Sequence, residues 1–207
     1  MAHIGLLGGS FDPVHRAHIA LALAALQTLD LDRVDLIPAR QPWQRRPLGA
    51  SPQHRLKMLQ IACEADPRLA VNPIELQRDG ATYTIDTLEA LPANARYTWV
   101  LGADQLTNFC TWHRWRDIIA RVRLAVAERP GVDGTPQPAL AHALAQGQGE
   151  LLRIPFMPLA ISASNVRHAL RTGQAVDDML DPAVLDYIHR HHLYSDPETP
   201  PNPSQDL

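Results

Sequence analysis

Short apolar runs recur along this chain, and a helix-patterned stretch follows nearly every one of them. Residues 3–7 form such a run, closed by Gly8 and Gly9, and read as a strand buried on both faces. From about His15 to Leu29, Ile19, Leu21, Leu23, Leu26 and Leu29 stand among alanines, a helical pattern that turns at Asp30. Residues 33–37 make a second strand, ended by Pro38, which has no N–H to give to a ladder. The alternation continues with a helix opened by Ser51 and Pro52 and running to about Ala65, a strand at 69–71, a helix at 84–91 and a strand at 97–101. A helix at 115–122, a strand at 124–127 and a short strand at 151–154 complete the series. Strands separated by helices do not pair as hairpins. They predict a doubly wound parallel α/β sheet with helices on both faces. Two consecutive helices, at 163–170 and 182–191, add a short C-terminal helical portion.

The stretch 130–149 is rich in Gly, Pro, Gln and Ala and reads as a surface excursion with a short helix at 139–144. Residues 195–207 hold four prolines and almost no apolar side chain, so they are expected to form a disordered tail beyond a single domain spanning 1–194. With 45% hydrophobic residues the chain can bury a real core, and its net charge of -3 offers no basic field for nucleic acid. Cys63 and Cys110 are too few for a disulfide framework or a four-cysteine zinc site, and they suit a reducing cytoplasm. The longest apolar run, residues 19–26, falls far short of the ~20 residues a membrane crossing needs.

Chemistry concentrates in Gly8-Gly9-Ser10-Phe11-Asp12-Pro13-Val14-His15-Arg16-Ala17-His18, between the first strand and the first helix. That is the carboxyl edge of a parallel sheet, where such folds bind ligands. The glycines let backbone N–H groups approach a phosphate, and the helix start behind them adds positive potential. His15 and His18, three apart, are expected to project from one helical face toward the same spot. Zinc is the rival use of the pair, but no Cys or carboxylate stands at a companion spacing. A pair of surface histidines would leave the preceding glycines unexplained. The segment matches neither the G-x-G-x-x-G dinucleotide fingerprint nor a P-loop.

The run GGSFDPVHRAH resembles the glycine-rich and H-x-G-H signature of the nucleotidyltransferase superfamily, with Ala17 where that pattern usually has glycine. Ile161-Ser162-Ala163-Ser164-Asn165-Val166-Arg167 resembles its second motif, I-S-x-[ST]-x-[IV]-R. Within the superfamily the chain is most similar to the bacterial nicotinate-nucleotide adenylyltransferases. That likeness also rests on Tyr83-Thr84-Ile85-Asp86-Thr87-Leu88, on Gly102-Ala103-Asp104-Gln105-Leu106 with Thr111-Trp112, on Glu128-Arg129-Pro130-Gly131 and on the stretch from Leu180 to Tyr194.

The resemblance implies a Rossmann-like fold and an enzyme that joins ATP to nicotinate mononucleotide, releasing pyrophosphate, with Mg2+ carried on the triphosphate. It implies that His15 and His18 donate to the phosphates and that Arg167 adds a permanent positive charge. Gly8, Gly9, Ser10 and Phe11 would give backbone contacts to ATP, and Ser162 and Ser164 would open a helix toward its β- and γ-phosphates. Gly102 and Asp104 match positions near the adenosine ribose, although a helix cap is an equal use for Asp104. Tyr83, Thr84, Trp112 and His113 match the nicotinate pocket, with backbone N–H groups after Trp112 favouring a carboxylate over a carboxamide. In the loop Gln41-Pro42-Trp43-Gln44-Arg45-Arg46, Trp43 and Gln44 replace the second proline and the histidine of many relatives, while Arg45 keeps a charge for a phosphate. Phosphopantetheine or nicotinamide mononucleotide as the acceptor, and a nucleotide-binding paralogue without turnover, are the competing readings. The expected partners are small nucleotides rather than nucleic acid or membrane, with room for a homo-oligomer.

Overall fold

The computed structural model describes residues 1–40, 48–78, 80–128, 134–157 and 159–195. Six strands form one parallel sheet: β1 (Ala2–Gly9), β2 (Arg33–Pro38), β3 (Leu69–Val71), β4 (Ala95–Gly102), β5 (Arg123–Glu128) and β6 (Leu151–Pro155). Their order across the sheet is β3-β2-β1-β4-β5-β6, so the chain winds outward in both directions from a break between β1 and β4. The helices between them are α1 (Arg16–Leu29), α2 (Pro52–Cys63), α3 (Thr84–Ala90), α4 (Ala103–Thr107), α5 (Trp115–Arg121) and α6 (Pro138–Ala145), followed by α7 (Ala163–Arg171) and α8 (Pro182–Arg190).

Alternation along the strands builds two cores. Leu7, Val34, Leu36, Val100 and Ile154 face a layer made by Ala22, Ala25 and Leu26 of α1, Met58, Leu59 and Ala62 of α2, Val166 of α7 and Ile188 of α8. Ile4, Leu6, Ile37, Leu101, Leu124 and Val126 face the opposite layer, built from Ile85 of α3, Trp115 and Ile118 of α5 and Leu140 of α6. Each such fully buried aliphatic side chain contributes about 1.5–3 kcal/mol relative to exposure, which is why both faces of the central strands are apolar.

The predicted strands and long helices lie within a few residues of their expected places. Three short elements were not expected: α4, which starts directly from β4 at its cap Gly102, and 3-10 turns at Pro73–Glu75 after β3 and at Phe109–Thr111 after α4. None is long enough to impose a period on the sequence. The tail expected at 195–207 lies outside the described residues apart from Ser195.

Candidate active site

β1 ends where the sheet opens. Its pairing with β4 stops at Leu7 opposite Val100, whereas its pairing with β2 continues to Gly9 opposite Pro38. Gly8 and Gly9 are therefore the last residues of the strand rather than the first of a loop, with one edge left unpaired at the topological switch point. A Cβ on Gly8 would lie 2.8 Å from the Trp99 ring, so glycine lets that ring pack close against the strand. Phe11 follows with φ 46°, a left-handed conformation costly to a side chain that carries a Cβ. Its ring is buried beneath Gly9 and meets the edge of His18 with centroids 4.9 Å apart. Burial of the ring offsets the backbone strain.

His15 is the N-cap of α1, with extended backbone (φ -143°), and not a residue of its first turn. The two imidazoles still converge, but by stacking, with centroids 3.7 Å apart, rather than by standing side by side on a helical face. The His15 backbone N–H donates to Nδ1 of His18 at 3.2 Å. A neutral His18 therefore carries its proton on Nε2. Burial lowers the His15 pKa to about 4, so this ring is neutral at pH 7, and its occluded Nδ1 has no partner among the described residues.

The loop between strand and helix is fixed by Asp12, only 1% exposed. Its carboxylate accepts the backbone N–H of Gly49 at 2.7 Å, that of Ala50 at 3.0 Å and the hydroxyl of Tyr194 at 2.7 Å. Arg167 donates to the Asp12 carbonyl at 2.7 Å and stands 3.7 Å from its carboxylate. Arg55, fully buried on α2, donates to the Ser10 carbonyl at 2.7 Å and to that of Arg40 at 3.3 Å. Burial, reinforced by the neighbouring Asp12, pushes the Tyr194 phenol well above its usual range and keeps it a donor. Ser162 caps α7 by accepting the Asn165 N–H at 3.1 Å, and Ser164 accepts from Arg167 at 3.4 Å. The segments at 8–18 and 161–167 are thereby joined.

Beyond the open edge of β1 lies a cavity of about 320 Å³. Gly8, Gly9, Ser10, Tyr83, Thr84, Asp104, Trp112 and His113 all line it. His15, His18, Arg167, Ser162 and Ser164 do not; they flank the same loop on the α1 and α7 side. Asp104 belongs to the first turn of α4, while Gly102 is the cap, and the Asp104 carboxylate lies 2.7 Å from where a Gly102 Cβ would stand. The Tyr83 and His113 rings are 4.8 Å apart, and Trp112 packs on Phe109 at 5.2 Å. The Trp112 N–H is committed to the Phe109 carbonyl at 3.0 Å, while the N–H groups of His113 and Arg114 that follow it have no backbone acceptor among the described residues. Arg45 lies outside the described residues.

Residues 6–169 match the cytidylyltransferase-like family. A relative from Bordetella pertussis, named a probable nicotinate-nucleotide adenylyltransferase, is 56% identical over 94% of this chain and 98% of its own length. One of the same name from Laribacter hongkongensis is 41% identical over 92% of this chain and 94% of its own. The chain belongs to the cytidylyltransferase-like family and, within it, to the nicotinate-nucleotide adenylyltransferases. The fold is also that of the Plasmodium falciparum nicotinic acid mononucleotide adenylyltransferase complexed with NaAD, at a TM-score of 0.73 and 20% identity over 94% of this chain and 98% of that one.

In this member of the nicotinate-nucleotide adenylyltransferase family, four residues of the site were not singled out by sequence: Asp12, Arg55, Glu75 and Tyr194. Arg55 left a trace, since it shares the buried stripe of α2 with Met58, Leu59 and Ala62 at spacings of three, four and seven. Among the described residues no helix is long and apolar enough to cross a membrane, and no three His, Cys, Asp or Glu side chains are grouped to hold a metal.

Proposed function

We propose that this chain transfers the adenylyl group of ATP to nicotinate mononucleotide, giving nicotinate adenine dinucleotide and pyrophosphate in NAD biosynthesis. The observation that carries this reading is the junction at Gly8–Phe11. There an anion-binding strand end with stacked histidines adjoins a cavity walled by Trp112, Tyr83 and Thr84. A phosphate oxygen of the mononucleotide attacks the α-phosphorus of ATP in line, and the bond to the pyrophosphate oxygen breaks. No side chain needs to act as nucleophile; the protein positions the two nucleotides and stabilises developing charge.

His18 donates from Nε2 to the α-phosphoryl oxygens, and His15 supports it by stacking and by fixing its tautomer. Arg167 balances the leaving pyrophosphate, assisted by the N-terminus of α7 between Ser162 and Ser164. Asp104 accepts a ribose hydroxyl of the adenosine. The His113 N–H and the Thr84 hydroxyl take the nicotinate carboxylate while Trp112 covers the pyridine ring. Arg45 keeps its assignment to a substrate phosphate. Asp12, the carboxylate of the phosphate loop, is occupied by three protein donors. The residues around the phosphates are thus donors rather than metal ligands, and Mg2+ is read as part of the substrate, held by triphosphate oxygens and water. A cytoplasmic location accompanies these substrates.

Pyrophosphate release with ATP and magnesium tests the reaction, with nicotinate mononucleotide, nicotinamide mononucleotide and phosphopantetheine offered separately. Strong preference for the first is expected. Equal rates with the amide would remove the carboxylate pocket from Thr84 and His113, and no release with any acceptor would remove the activity. Trp112→Ala is expected to raise the KM for the mononucleotide about tenfold or more, following the loss of a stacked ring, and to change that for ATP much less. The reverse order would move Trp112 out of the acceptor pocket.

A further inference from the structure

The cavity that faces the acceptor is acidic and aromatic. Glu75 and Asp104 line it with Trp112, Tyr83 and Trp99, and no Lys or Arg does so among the described residues. This is a poor surround for a substrate regarded only as an anion. Glu75 ends the 3-10 turn after β3 and is 6% exposed. Its Oε1 accepts the Thr87 hydroxyl at 2.7 Å, and that hydroxyl in turn accepts from Arg78 at 2.9 Å. Oε2 receives no hydrogen bond among the described residues. The guanidinium reaches the carboxylate through Thr87 rather than by direct pairing, so the charge of Glu75 is only partly compensated inside the protein. Burial accordingly raises its pKa, with Thr87 and Arg78 opposing the shift. A buried carboxylate with an open oxygen beside aromatic faces is the arrangement that recognises a flat organic cation.

The ring of a pyridine mononucleotide is such a cation, because the nitrogen bonded to ribose makes it a pyridinium. We infer that Glu75 is a specificity-determining residue for the positive charge of the acceptor's pyridinium ring, acting with the face of Trp112 while other groups take the carboxylate and phosphate. The inference rests on the acceptor assigned above. It makes the pocket bipolar: donors at His113 and Thr84 for the ring's carboxylate, and Glu75 for the ring itself. It also gives a sign opposite to the simplest electrostatic expectation, in which Glu75 repels nicotinate and removing its charge tightens binding.

The test is dissociation constants measured by calorimetry with a non-transferable ATP analogue present. The ligands are nicotinate mononucleotide, its 1,4-dihydro form, which keeps carboxylate, ribose and phosphate but has a neutral ring, and nicotinamide mononucleotide. The unaltered protein should bind the pyridinium form at least about tenfold tighter than the dihydro form, the discrimination expected of one partly desolvated charge contact. Glu75→Gln keeps the size and the Thr87 contact. It should weaken both pyridinium nucleotides by a similar factor, leave the dihydro form and the ATP analogue nearly unchanged, and so shrink the preference. Equal binding of the two ring states by the unaltered protein would overturn the inference without any variant. Tighter nicotinate binding by Glu75→Gln, or an undiminished ring preference, would overturn it too. If the protein binds none of the pyridine nucleotides while the ATP analogue binds, the acceptor assignment itself falls.

Discussion

Replacing His18 with alanine should lower turnover by about 10²–10³-fold, the usual cost of removing one preorganised donor to a developing oxyanion. The size follows from tautomer and position. The His15 backbone N–H occupies Nδ1, so the whole donor capacity of a neutral His18 is carried by Nε2. Melting should fall little, because the ring is only half-buried and stacks on His15 without filling a core. His18→Asn, shorter and without a ring to stack, should recover little of the rate. Single-turnover measurement at saturating ATP separates the chemical step from binding; a rate within about threefold of the parent would remove His18 from the reacting phosphate.

Asp12→Ala should be the most damaging single change to the fold near the site. It deprives two backbone N–H groups and the Tyr194 hydroxyl of their acceptor and leaves the buried Arg55 charge uncompensated. Breaking a buried charge network from one side costs about 3–5 kcal/mol. At roughly 2–4 °C per kcal/mol for a chain of this size, the midpoint of thermal unfolding should drop by about 6–20 °C. Asp12→Asn keeps one acceptor oxygen and should fall between the two. A drop of under about 2 °C in Asp12→Ala would mean that Tyr194 and Arg55 are held by something other than this carboxylate.

The strands and long helices were legible because each has a hydrophobic period of its own: Leu6 and Leu7 alone announce a strand with a core on either side. The glycine and histidine segment was legible as chemistry for the same local reason. Its finer geometry was not. Spacing of three placed His15 and His18 on one turn, but a residue that caps a helix has extended backbone, and stacking replaced the predicted side-by-side arrangement. Asp12, Arg55 and Glu75 were illegible for a different reason. A charged residue in sequence reads as surface unless its partner is nearby, and Asp12 finds its partners 37, 38 and 182 positions away. The commitment of the Trp112 N–H is likewise a property of the turn at Phe109–Thr111 that no side-chain pattern encodes.

The bond from Tyr194 to Asp12 also orders events in time. During synthesis β1 and the glycine turn emerge from the ribosome first, and the sheet can grow strand by strand behind them. The hydroxyl that fixes Asp12 arrives 182 residues later, and Arg167, which holds the same residue's carbonyl, arrives 155 residues later. A chain interrupted before Arg167 would lack both of these contacts, and with them the means of fastening Asp12 and the glycine turn.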